Sequence, residues 1–151
     1  MRRADFDYTH GVASIDGADR VQRLRDAFSA DPFVRLAVLF GSLAAGRTRA
    51  DSDVDVAIQP ERPLTDSELR SLTSSLAHAA AADVDLVLLD TASTLLRWQI
   101  ATRGIPLLER VPGDFARFQA RAAAEYIDFA PALAHHGEVF RRRLVALGSD
   151  Q

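Results

Sequence analysis

Apolar residues recur along this chain with two different rhythms, and the stretches that carry them alternate. Val21, Leu24 and Phe28 stand at helical spacing and predict a helix over 17–30, ended by the stop signal Asp31-Pro32. Residues 33–40 are almost continuously apolar and predict a buried strand. A second strand is predicted over 53–59, closed by Pro60 and Pro63. Thr65-Asp66-Ser67-Glu68 reads as a capping box that opens a helix running to about Ala82. Asp83 to Leu89 predicts a third strand, and Thr91 to Arg103 a further helix. Gly104, without a Cβ, is expected to close that helix in a left-handed cap. Ile105 to Glu109 is the last predicted strand. After Pro112-Gly113 a long helical stretch follows over 114–147. Phe115, Phe118, Ala122, Phe129, Leu133, Phe140 and Leu144 mark an apolar face there, and Pro131 is expected to kink or interrupt it.

The order of elements predicts an α/β (α+β) fold with a mixed sheet of about four strands flanked by helices. Residues 1–112 form the core, and 113–151 a C-terminal helical arm of the same domain. A chain of 151 residues has room for one core rather than two. No apolar run approaches the roughly 18 residues that span a bilayer. The stretch Met1 to Asp7 has no apolar signal region, so a cytoplasmic protein is expected.

Two absences narrow the chemistry. Without cysteine there is no thiolate nucleophile, disulfide or thiolate zinc site. Without lysine there is no P-loop lysine and no Schiff base; all 18 basic residues are arginines. Any side-chain cation that meets a phosphate must then be a guanidinium, whose planar fork suits that contact. A net charge of −3 argues against direct nucleic-acid binding.

The chemistry gathers after the first strand. That strand ends in Gly41-Ser42, where small residues let backbone N–H groups approach a phosphate. After the spacer 43–52 come Asp53, Val54, Asp55 and Val56. On a strand, Asp53 and Asp55 share one face about 7 Å apart while the valines take the other. Two such carboxylates repel each other, and a Mg²⁺ ion, which takes hard oxygen ligands together with substrate phosphates, would offset that. A third carboxylate would come from the third strand, where Asp83 and Asp85 share a face.

This ordered set resembles the Gly-Ser…Asp-x-Asp signature of the DNA polymerase β-like nucleotidyltransferases, and most closely the minimal nucleotidyltransferases. The likeness is strongest over 32–60. It implies the small nucleotidyltransferase fold and transfer of AMP from ATP with Mg²⁺. It also implies metal binding by Asp53, Asp55 and Asp85, with Asp85 chosen over Asp83 because Val84-Asp85-Leu86-Val87 resembles the family's third acidic strand. Asp85 would in addition help deprotonate the acceptor hydroxyl. Gly41, Ser42 and Arg47 would contact the nucleotide. Many minimal nucleotidyltransferases have a basic residue where this chain has Ala45, and Arg47 or Arg49 would have to replace it.

A single helical arm leaves little wall around a small acceptor, so a macromolecular acceptor is expected. The resemblance then points to the MntA-like antitoxins, whose partners are HEPN-domain RNase toxins and which adenylylate a toxin tyrosine. Glu125 to Phe129 is similar to text found in such antitoxins. Two other readings differ in kind: neutralisation of the partner by contact alone, and an aminoglycoside-type enzyme acting on a small molecule. His78 reads as a surface or core-edge residue, and His135-His136 has no carboxylate cluster nearby. Arg141-Arg142-Arg143 reads as a solvated helix end, while Trp98 and Tyr126 read as packing residues.

Overall fold

The computed structural model describes residues 15–47 and 52–148. The elements in order are α1 (Ile15–Ala30), β1 (Val34–Phe40), α2 (Gly41–Ala44), β2 (Val54–Pro60), α3 (Asp66–Ala80), β3 (Val84–Leu88), α4 (Thr94–Arg103), β4 (Ile105–Glu109) and α5 (Asp114–Gly148). The strands form one mixed sheet in the order β3-β2-β1-β4. β1 pairs antiparallel with β2 and with β4, while β2 and β3 run parallel. A parallel pair needs a crossover, and α3 supplies it.

The central strand β1 is buried on both faces, which is why its sequence is an apolar run rather than an alternation. Ala37 and Leu39 face a core built with Val21, Leu24 and Phe28 of α1 and Leu72 and Leu76 of α3. Leu36 and Val38 face the other side, where Ile100 of α4 and Phe115 of α5 cover them. The molecule is therefore a sheet between two helical layers. Alternation in β2 sends Val54, Val56 and Ile58 to the α1–α3 side and Ala57 to the α4–α5 side, which places Asp55 on the α4–α5 side too.

The capping box opens α3 as expected: the Thr65 side chain accepts from the Glu68 N–H and Glu68 accepts from the Thr65 N–H. The left-handed cap falls not on Gly104 but on Ala81, with φ 50°. Gly104 is extended at φ −73°, and its glycine answers to space. A Cβ there would lie 2.4 Å from the Ile100 carbonyl oxygen and 2.5 Å from Val38 Cγ1. α5 also runs through Pro131 without interruption. The carbonyl four residues back, which proline cannot bond, belongs to Ile127, 69% exposed, where water can satisfy it.

Along the arm, Phe115 and Ala122 are buried and Phe118 packs beside them, but Phe129 is 40% exposed. The side chains of His136, Phe140, Leu144 and Arg141 to Arg143 lie outside the described residues, as does Arg49. Trp98 and Tyr126 stack on each other between α4 and α5, with ring centroids 4.7 Å apart, and His78 is exposed. Among the described residues no helix is long and apolar enough to cross a membrane.

Candidate active site

The site is built where β1 ends. Phe40 is extended, Gly41 turns to φ +72°, and one turn of helix, α2, replaces the simple turn expected from the sequence. No side chain caps that helix. Leu43 and Ala44 are buried and anchor it. The segment folds back through Gly46 at φ +70°, and the Arg47 N–H donates to the Ser42 carbonyl at 2.9 Å. Gly41 serves a purpose beyond close approach to a phosphate. A Cβ on it would fall 2.0 Å from Asp55 Oδ2, so Asp55's carboxylate occupies the space that a side chain would need.

β2 begins one residue later than expected, at Val54, so Asp53 precedes the strand and is exposed. Asp55 lies opposite Phe40 on β1 and opposite Asp85 on β3. Neighbouring strands are about 4.8 Å apart, so Asp55 and Asp85 are adjacent rungs on one face. Asp83 precedes β3 as Asp53 precedes β2, and its carbonyl accepts the Val54 N–H at 2.8 Å. The Asp55 carboxyl is raised above its ordinary range, first by burial and then by the charges of Asp85 and Asp53. Asp55 thus feels the charges of both other predicted carboxylates.

Among the described residues, no three His, Asp or Glu side chains close into a metal-binding group. Mg²⁺ does not need a closed cage, because it uses one or two carboxylates and fills its other positions with water and phosphate oxygens. A half-buried carboxylate with repelling neighbours at the mouth of an open cleft suits such an ion.

That cleft has a volume of about 850 Å³. Of the residues singled out in the sequence, Gly41, Ser42, Arg47 and Asp55 line it together, while Asp53 and Asp85 stand outside its lining. Ala45 lines it too and brings no charge. Four residues of its wall were not anticipated: Phe40, Ser52, and Gln99 and Arg103 from α4. Arg103 was only the last residue of a predicted helix, and no spacing rule in the sequence connects it with the Asp-x-Asp segment.

Residues 22–112 match the family described as polymerase beta nucleotidyltransferase. The protein adenylyltransferase MntA of Shewanella oneidensis is 38% identical over 84 residues, which are 56% of this chain and 58% of that protein. The chain thus matches a little over half the length of that relative. A crystal structure of a toxin–antitoxin with AMP-PNP contains a chain 31% identical with a TM-score of 0.65; the match covers 82% of this chain and 98% of that one. A structure of a tri-AMPylated Shewanella oneidensis HEPN toxin in complex with MNT antitoxin gives 29% identity and a TM-score of 0.60, covering 83% of this chain and 96% of its counterpart.

Proposed function

The chain belongs to the polymerase beta nucleotidyltransferase family, and from that premise we propose that it is an antitoxin enzyme. It transfers AMP from ATP to a tyrosine hydroxyl of a HEPN-domain RNase toxin and thereby neutralises the toxin. One observation carries the chemistry: Asp55 faces Asp85 across the parallel pair while its carboxylate fills the space over Gly41, in the cleft that Ser42 and Arg47 also line. The likeness to an adenylyltransferase and to a complex holding an AMPylated toxin supports the choice of nucleotide and acceptor.

In the reaction the acceptor oxygen attacks the α-phosphorus, the bond to the β-phosphate oxygen breaks, and pyrophosphate leaves. Asp53 and Asp55 would hold Mg²⁺ with Asp85 completing the set, and the bound ion would neutralise phosphate charge and stabilise the leaving group. Gly41 leaves room for the Asp55 carboxylate in the cleft, and a residue with a Cβ would displace it. Ser42 and Arg47 meet the phosphates through the turn and a guanidinium. Asp85, exposed on β3 next to Asp55, accepts the proton of the incoming hydroxyl. The core 1–112 carries this chemistry, and the arm 113–151 meets the partner with apolar surface such as Ile127 and Phe129. A consumer of ATP acting on an RNase belongs in the cytoplasm.

The test is to incubate the protein with Mg²⁺, each of the four nucleoside triphosphates and the HEPN protein, then to measure intact masses. AMP added to the partner, and lost with Asp55→Ala while the complex still forms, is the expected result. An unchanged mass in a stable complex would instead establish neutralisation by contact.

A further inference from the structure

The cleft has a carboxylate side and needs a cationic one. A nucleoside triphosphate brings several negative charges, and the phosphates beyond the α carry most of them. Ala45 offers them nothing. The two guanidiniums that line the cleft are Arg47, beside the turn, and Arg103, from α4. Among the described residues neither side chain has a hydrogen-bond or ion-pair partner. By contrast Arg35, Arg62, Arg97 and Arg117 are all paired with carboxylates.

Arg103 is held in place by packing. Ile100 and Ala101 bury the inner face of α4 against the sheet, and Gly104 lets the helix end press on Val38 of β1, two residues before Phe40. Gln99 and Arg103, four residues apart, then lie one above the other on a single helix face, and both reach the cleft. A cation in the last turn of a helix is favoured by the macrodipole wherever it points. The macrodipole does not explain why this one shares a cleft with Asp55 and, among the described residues, has no carboxylate partner.

We propose that Arg103 is a nucleotide-specificity residue that grips the non-transferred phosphates and makes the cleft select a triphosphate over a monophosphate. The inference rests on the nucleotidyl-transfer reading above. Arg103 faces the ligand's anionic tail from α4 while the Gly41-Ser42 turn meets it from β1, and the pyrophosphate leaves between them.

The experiment compares ATP and AMP binding to the full-length protein by calorimetry in Mg²⁺, for the unaltered chain, Arg103→Ala and Arg103→Lys. The expected result for Arg103→Ala is ATP affinity weakened about tenfold or more, the loss of one charge-assisted contact, with AMP affinity and Tm nearly unchanged. Arg103→Lys keeps the charge without the fork and should fall between, and the KM for ATP should rise more than kcat falls. Wild-type ATP affinity in Arg103→Ala would overturn this inference alone. Parallel loss of ATP and AMP binding with a lowered Tm would overturn it too, by making Arg103 structural. An unaltered chain that binds no triphosphate would overturn the nucleotidyl-transfer reading along with it.

Discussion

A methyl group on the Gly41 α-carbon would fall 2.0 Å from Oδ2 and 2.9 Å from Cγ of Asp55. No real pair of atoms tolerates that, so the end of β1 and the carboxylate of β2 specify each other. Gly41→Ala should therefore move Asp55 and also strain a backbone held at φ +72°. The left-handed conformation alone costs about 1–2 kcal/mol in a residue with a Cβ. Misplacing the carboxylate by about 1 Å should slow AMP transfer on the order of a hundredfold. Thermal melting and a time course of intact masses measure the two effects separately.

Asp55 is held above the ordinary carboxylate range by burial and by Asp85 and Asp53. A carboxylate raised in the folded state favours folding at a pH below its unfolded value, near 4, and loses that contribution as pH rises through the folded value. Asp55→Asn should accordingly melt higher than wild type at pH 7, with the gap closing below about pH 4. The same variant should lose transfer. A protein that melts lower at pH 7 would show that Asp55 contributes structure and not only charge.

Register supports Asp85 as the proposed third carboxylate, since Asp55 pairs with it. Asp85→Asn should lower transfer by about a hundredfold, the usual worth of a positioned acid or base. Asp83→Asn should leave it near wild type, because the bond that Asp83 gives Val54 comes from its backbone carbonyl. Rates measured at saturating ATP with the proposed HEPN acceptor compare the two directly.

Much of this site was legible because it depends on local rules. A period of two put Asp55 on the face opposite Val54 and Val56, and an apolar run announced the doubly covered β1. What was not legible depends on contact between distant segments. Gly104 has the composition of a left-handed cap, but its glycine answers to Val38, 66 positions earlier. Gln99 and Arg103 enter the cleft because the packing of α4, that contact included, sets the end of the helix near β1. Gly41 reads as a phosphate-approach residue until β2 is paired beside it, and only then does Asp55 fill the space above it. Local periodicity finds the elements and the acidic pair; the entry of Arg103 into the cleft depends on tertiary packing.

Asp114 is buried and its carboxylate takes both Arg35, at 2.7 and 3.0 Å, and Arg117. Those bonds hold its pKa down to about 2, with Arg35 contributing most. A depressed carboxylate stabilises the fold above its unfolded value and loses that contribution as pH falls through the folded one. The chain should therefore lose stability between roughly pH 4 and pH 2, and Asp114→Asn should flatten that slope. At pH 7 the variant should be less stable by roughly 1–3 kcal/mol, the loss of charge-assisted bonds from a buried carboxylate to arginines that themselves reach solvent. Urea unfolding across the pH range checks both.

The arm is clamped to α4 by Trp98 and Tyr126, stacked 6° from parallel, and by Arg97 with Glu125 at 2.7 Å. α4 also carries Gln99 and Arg103, so the clamp on one side of the helix bears on the cleft at the other. A double-mutant cycle with Trp98→Leu and Tyr126→Leu should return a coupling of about 0.5–1.5 kcal/mol, beyond the loss of buried area in each. If α4 is positioned from both sides, Tyr126→Leu should also raise the KM for ATP, although Tyr126 is not among the residues that line the cleft. An unchanged KM with a lowered Tm would mean that Gly104 and the buried Ile100 hold α4 by themselves, leaving the arm free to serve the partner alone.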